Sequence, residues 1–204
     1  MSPLAFSDAE RAELARLTEE GVALVSDKLG RLSGTAWNLV TSSVEEVPAD
    51  LVGASLLREA SSCVGAFLFS QSLLPIDVLV LFPEQCAARL TEAVVKASGG
   101  VLAKLPDPQA AVFKELSNIL GQGVLKVLAN SLKISLILSS PRFLRGPKAE
   151  AVARVLAAAK ARNAFIVLRV DMTSAASSAE CGMVLLFDAL PMRQLLKNAA
   201  AARP

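Results

Sequence analysis

Apolar and polar positions divide the chain into helical and strand-like segments in a recurring order. From Ser7 to about Leu32, charged and apolar residues alternate at helical spacing. Ser7 followed three residues later by Glu10 has the form of a capping box. Three strand-like runs come next, at Trp37 to Ser42, Val64 to Phe69 and Ile76 to Phe82. Pro83-Glu84 then opens a helix to about Lys96, since proline is tolerated in a first helical turn, and Ser98-Gly99-Gly100 ends it. A segment of weak character, Val101 to Leu105, and the phrase Pro106-Asp107-Pro108 lead into a long helix ending near Ser131. The pattern further predicts a strand from Lys133 to Ser139 and an inserted alanine-rich helix from Ala149 to Ala161. Strands at Phe165 to Val170 and Met183 to Phe187 follow, with a last helix from about Leu190 to Ala200.

The two halves of this order match. Val78-Leu-Val-Leu-Phe82 before a helix parallels Met183-Val-Leu-Leu-Phe187 before a helix, and Leu90 and Leu195 then fall at the same offset. Trp37 to Ser43 likewise echoes Ile134 to Ser140. Chance similarity among Leu/Val-rich strands is the competing explanation; two strands, two helices and their shared order favour duplication. The expected fold is therefore α+β, a single domain built from two pseudo-symmetric helix–strand–strand–strand–helix halves, about 8–97 and 108–201. Short consecutive strands predict a mainly antiparallel six-stranded sheet with the long helices packed on it.

Composition narrows the chemistry. With 53% hydrophobic and 20% charged residues in 204, there is ample material for a core. The net charge is only +2, and with 4% aromatics and no basic stripe the chain does not read as a nucleic-acid binder. A mean hydropathy of +0.49 raises the membrane question. The most apolar stretch, Val64 to Phe82, is broken by Ser70, Gln71, Ser72, Pro75 and Asp77, and reads as two buried strands around a turn instead of a spanning helix. The first residues lack the form of a signal peptide, so no membrane insertion and a cytoplasmic location are expected. Cys63, Cys86 and Cys181 are widely spaced and odd in number, which suits buried reduced thiols. There is no histidine, and this removes every His-dependent triad and the usual His metal sites.

On the long second-half helix, Val112, Leu116, Ile119, Gly123 and Val127 are predicted to face inward, while Glu115, Asn118 and Gln122 share the other face. By periodicity alone these three are simply solvated. Three other features bear on chemistry. Cys86 follows a helix start that could lower a thiol pKa, but lacks a general base. Gly121-Gln-Gly123 lacks phosphate-loop spacing, and its glycines suit close helix approach. The segment Ala149 to Ala161, with Lys148, Arg154, Lys160 and Arg162, is a solvated helix or else a docking surface.

The segment Glu115-Leu-Ser-Asn118-Ile-Leu-Gly-Gln-Gly resembles the signature of the CheC/CheX/FliY family of chemotaxis phosphatases: Glu, two residues, Asn, then 22 residues to a Pro. Ile119 to Ser140 fill that interval and Pro141 follows. Val80-Leu-Phe-Pro-Glu84 is similar to the family's strand-to-helix junction. The resemblance implies a phosphatase acting on the phospho-aspartate of a CheY-type response regulator. Asn118 would orient water and Glu115 would pair with the regulator's lysine. It further implies no cofactor in this chain, Mg²⁺ carried by the regulator, and, as for some members, the deamidase CheD as a second partner. A non-catalytic binder of the same fold, like the FliM middle domain, is the alternative. Two departures stand out. Ala111 occupies a position where the family often has Asp or Ser. The first helix offers Glu19 and Glu20, but Val22 and Ala23 lie three residues on and no Asn precedes Asn38, so one active surface is expected.

Overall fold

The computed structural model describes residues 6–57, 61–159, 162–175 and 178–201. Helix α1 (Asp8–Ser33) begins with the anticipated capping box: the Glu10 amide donates to Ser7 Oγ at 3.2 Å and the Ser7 amide to Glu10 Oε2 at 2.8 Å. Gly34, in the left-handed region at φ 69°, terminates it. Strand β1 (Asn38–Pro48) and a short helix α2 (Val52–Leu56) lead to the hairpin β2 (Ser62–Gln71) and β3 (Pro75–Pro83), then helix α3 (Glu84–Ala97). A 3₁₀ turn (Val101–Lys104) precedes α4 (Pro108–Leu132), whose first amides are capped by Asp107. The chain continues through β4 (Arg142–Pro147), α5 (Lys148–Ala158), the antiparallel pair β5 (Ala164–Ser174) and β6 (Ala179–Asp188), and α6 (Ala189–Ala201).

All pairings are antiparallel, in the order β1-β5-β6-β3-β2-β4. Exchanging β1–β3 with β4–β6 and reading from the other edge leaves this order unchanged. The Phe82/Phe187 alignment holds at the junctions: β3 passes into α3 at Glu84 and β6 into α6 at Ala189. The central strand β3 is buried on both faces from Ile76 to Phe82, hence its unbroken apolar run. The edge strands are protected differently. β1 exposes Asn38 and Thr41, whereas β4 is short and carries Arg142, Arg145 and a terminal proline.

Three readings of the sequence need correction. The segment predicted as a strand from Lys133 to Ser139 lies outside the ladder, and the strand proper is β4. Lys133 closes α4 in the left-handed region at φ 52°, and Ile134, Leu136 and Leu138 pack on the core from an irregular segment. Only its end touches β2, where the Ser139 amide donates to the Phe69 carbonyl at 2.8 Å and the Phe69 amide to Ser139 Oγ at 3.1 Å. The alanine-rich helix is not peculiar to the second half, because α2 occupies the equivalent place between β1 and β2. It buries Ala151, Val152 and Val155, and its flanking Arg162 is paired with Asp77 at 2.7 Å, so that cation belongs to the interior; Lys160 lies outside the described residues. Burial pushes the Asp77 carboxyl up, and Arg162 opposes this. The third correction, to the inward face of the long helix, is given with the site.

One face of the sheet carries α1, α3, α4 and α6 over the main core; α2 and α5 cover part of the other. An edge-to-face series runs from Trp37 to Phe82 (6.3 Å between centroids) and from Phe82 to Phe113 (5.0 Å), tying the end of α1 to β3 and α4. The two long helices meet through glycine. A Cβ on Gly21 would lie 2.7 Å from the Val124 Cα, and one on Gly123 would lie 1.8 Å from a Val25 methyl. Gly21→Ala should therefore lower stability by about 1–3 kcal/mol, as overpacking does, even though alanine is the better helix former by roughly 1 kcal/mol. Urea unfolding checks this; a variant more stable than the parent would contradict the close crossing.

Candidate functional site

Two neighbours determine which side of α4 faces solvent. Val78, Leu68 and Leu138 lie against Gly121, and α1 lies against Gly123 and Val124. The buried arc is therefore wider than a single stripe and runs through Phe113, Leu116, Ser117, Leu120, Gly121, Val124, Leu125 and Leu128. Of the residues predicted inward, Val112 and Leu116 are fully buried, while Ile119 and Val127 sit at the margin and Gly123 faces α1. The polar face is as predicted: Glu115 and Gln122 are exposed and Asn118 is partly exposed. Positions three and four apart on a helix are neighbours, with Cβ atoms roughly 5–6 Å apart. Glu115, Asn118 and Gln122 thus form a continuous polar row, and Gln122 Nε2 donates to Asn118 Oδ1 at 2.9 Å.

The irregular segment after α4 borders this row. It turns back at the helix end, where the Ile134 amide donates to the Ala129 carbonyl at 3.0 Å, passes Gly121 at Leu138, and ends in β4, whose Arg145 donates to Gln109 near the start of α4. An extended chain advances about 3.3 Å per residue against about 1.5 Å in a helix. The stretch that holds Ser140 and Pro141 therefore lies between the contact of Leu138 with Gly121 and that of Arg145 with Gln109. Sequence reading could not supply this path, because that reading placed a strand there.

The first half has no equivalent pair, and the structure identifies what stands in its place. The left-handed caps Gly34 and Lys133, and the strand ends Pro48 and Pro147, are each separated by 99 positions (133 minus 34, 147 minus 48). With that offset, every buried residue of α1, from Leu14 to Ser33, falls on a buried residue of α4. Glu115 then corresponds to Arg16, Asn118 to Glu19 and Gln122 to Ala23. Arg16 is engaged by Glu13 at 2.9 Å and by Glu20, so the α1 face is a local ion-pair network. The burial period of α1 could have revealed this register; a search for Glu followed by Asn could not.

The remaining nucleophile candidates are inert. Cys63, Cys86 and Cys181 are free and buried, and burial raises all three thiol pKa values. Cys86, despite its place near a helix start, donates to the Pro83 carbonyl at 3.0 Å. Among the described residues no group of three or more Cys, Asp or Glu side chains is arranged to hold a metal ion, and no helix is long and apolar enough to cross a membrane. A hollow of about 480 Å³ opens on the other face of the sheet, lined by Leu79, Leu81, Lys148, Arg169 and Asp171 among others, away from α4.

The chain has the fold shared by CheX, FliY and the FliM middle domain. Its full length superposes on the whole of Thermotoga maritima FliY with a TM-score of 0.67 at 10% identity. It covers 98% of the H. pylori FliM middle domain with 94% of its own length (TM-score 0.67, 9% identity). For CheX from Vibrio vulnificus the coverage is 85% of this chain and 99% of that one, with a TM-score of 0.53 at 10% identity. No protein-family model and no curated protein matches the sequence, and at these identities the likeness is one of fold. A direct check on the excluded nucleophiles is thiol titration. With a chromogenic disulfide reagent near pH 8, the three cysteines should stay unreactive until denaturant is added. Rapid native reaction of Cys86 would reopen it as a nucleophile.

Proposed function

We propose that the chain hydrolyses the phospho-aspartate of a CheY-type response regulator in chemotaxis or motility signalling, using Asn118 and Glu115. The observation that most supports this reading is the outward, adjacent placement of the pair on α4, within a fold shared with CheX and FliY. In this reaction a bond forms between water oxygen and phosphorus, and the bond from phosphorus to the aspartyl oxygen breaks. The products are the regulator's carboxylate and inorganic phosphate. An acyl phosphate is already activated, and the regulator supplies the Mg²⁺ and lysine that offset charge on the transferring oxygens. What remains is to hold one water in line. An asparagine amide both donates and accepts hydrogen bonds, so Asn118 orients the water without needing a pKa near neutrality. Glu115, one turn away, pairs with the regulator's lysine and sets the register of the two proteins.

The second reading is a binding protein without catalysis. It is favoured by the equally high similarity to the FliM middle domain and by Ala111 in place of the family's Asp or Ser. A role in binding CheD falls under the same reading. The two are separated by following loss of phosphorylated regulator over time. Asn118→Ala should slow the catalysed reaction by about 10²-fold while leaving much of the binding intact. Glu115→Ala should reduce both rate and affinity. Glu19→Ala, on the α1 face, should stay within about twofold, well below the tenfold that about 1.4 kcal/mol represents. An Asn118→Ala protein as active as the parent would overturn the mechanism.

A further inference from the structure

We propose that Gln122 is a positioning residue that fixes which end of the Asn118 amide meets the attacking water; the inference rests on the phosphatase reading above. The two ends of an asparagine amide have nearly the same shape and opposite hydrogen-bonding character, and rotation about its last torsion is broad and roughly two-fold. A solvated asparagine therefore presents oxygen or nitrogen with little preference. Asn118 is only partly exposed, and Gln122 Nε2 lies on its Oδ1 at 2.9 Å. That bond selects one rotamer. Oδ1 is drawn toward the C-terminal side of α4, one lone pair is engaged, and the remaining lone pair and Nδ2 are left at fixed positions for water.

The row has defined flanks. On one side Leu138 packs against Gly121, one of the three residues between the pair. On the other the row continues to Glu115. Gln122 is itself exposed, so the bond adds little to folding, and its value is in orientation. The equivalent α1 position is Ala23, on a face where Arg16 and Glu19 stand in the places of Glu115 and Asn118. Helix α6 supplies a control: Gln194 Nε2 donates to Asn198 Oδ1 at the same 2.9 Å on an exposed surface remote in sequence from α4.

The experiment measures steady-state dephosphorylation of a CheY-type regulator, with side-chain ¹⁵N relaxation of Asn118 recorded alongside. Gln122→Ala should lower kcat by about three- to tenfold with KM and Tm unchanged, a smaller loss than removing Asn118 itself. Gln122→Glu, which only accepts, should turn the Asn118 amide around and lower kcat at least as far. Gln122→Lys, which restores a donor, should recover most of the loss, and Gln194→Ala should match the parent. The Asn118 amide should be ordered in the parent and mobile in Gln122→Ala. Unchanged kcat in Gln122→Ala, with Asn118→Ala impaired, overturns the proposal, as does a change in KM alone. If the parent itself proves inactive, the phosphatase reading fails and the relaxation data decide the positioning. Loss of Asn118 order in Gln122→Ala sustains it, and unchanged order overturns it.

Discussion

The close crossing of α1 and α4 is the constraint on which the rest depends. Gly21 and Gly123 bring the two helices together at a separation that a methyl group on either would obstruct. The crossing fixes the rotation of α4. Leu120 and Val124 must point into the core, Gly121 must face the sheet side, and Gly123 must meet α1. Glu115, Asn118 and Gln122 are then left facing outward by elimination. A turn of α4 by one position in one direction, about 100°, would put Leu116, Ile119 and Gly123 in place of this row. The exposed polar row is in this sense a by-product of core packing.

The difference between halves is informative. Both long helices obey the same burial pattern, down to the small polar residues Thr18 and Ser117 at matching positions. Their outer faces answer to no packing rule and have diverged. One carries Arg16, held in local ion pairs with Glu13 and Glu20 that are worth little to stability at such exposure, and Glu19, which accepts from Ser42. The other carries Glu115 and Asn118, with the amide of the latter already engaged by Gln122. The two helices thus match where they are buried and differ where they are exposed.

Much of the fold was legible because it follows local rules. The Ser7/Glu10 box, the glycine after α3, the proline at the start of α4 and the continuous apolar run of β3 each have one dominant cause. What escaped were elements whose cause is tertiary. Strands β1, β5 and β6 extend well past their apolar centres into polar residues, because ladder hydrogen bonds do not depend on side-chain polarity. Ile134, Leu136 and Leu138 alternate as a strand would, yet they pack on the core beside α4 without a ladder. Strand β4, with Arg, Gly and Pro, pairs as an edge although its composition argues against a strand. For the site, the spacing of Glu115, Asn118 and Gln122 placed them correctly on one face. The neighbouring segment and the Asn118–Gln122 bond were invisible, since neither leaves a periodic trace.

The central claim is that this outward row orients water at a partner's phospho-aspartate. Its most direct test is the decay of a phosphorylated CheY-type regulator, with Mg²⁺ present, in the presence and absence of saturating parent protein. The account predicts a decay at least tenfold faster with the protein, about 1.4 kcal/mol of barrier, and saturating with its concentration. Decay at the regulator's own rate, despite demonstrable binding, would contradict it and leave a binding protein built on the same fold.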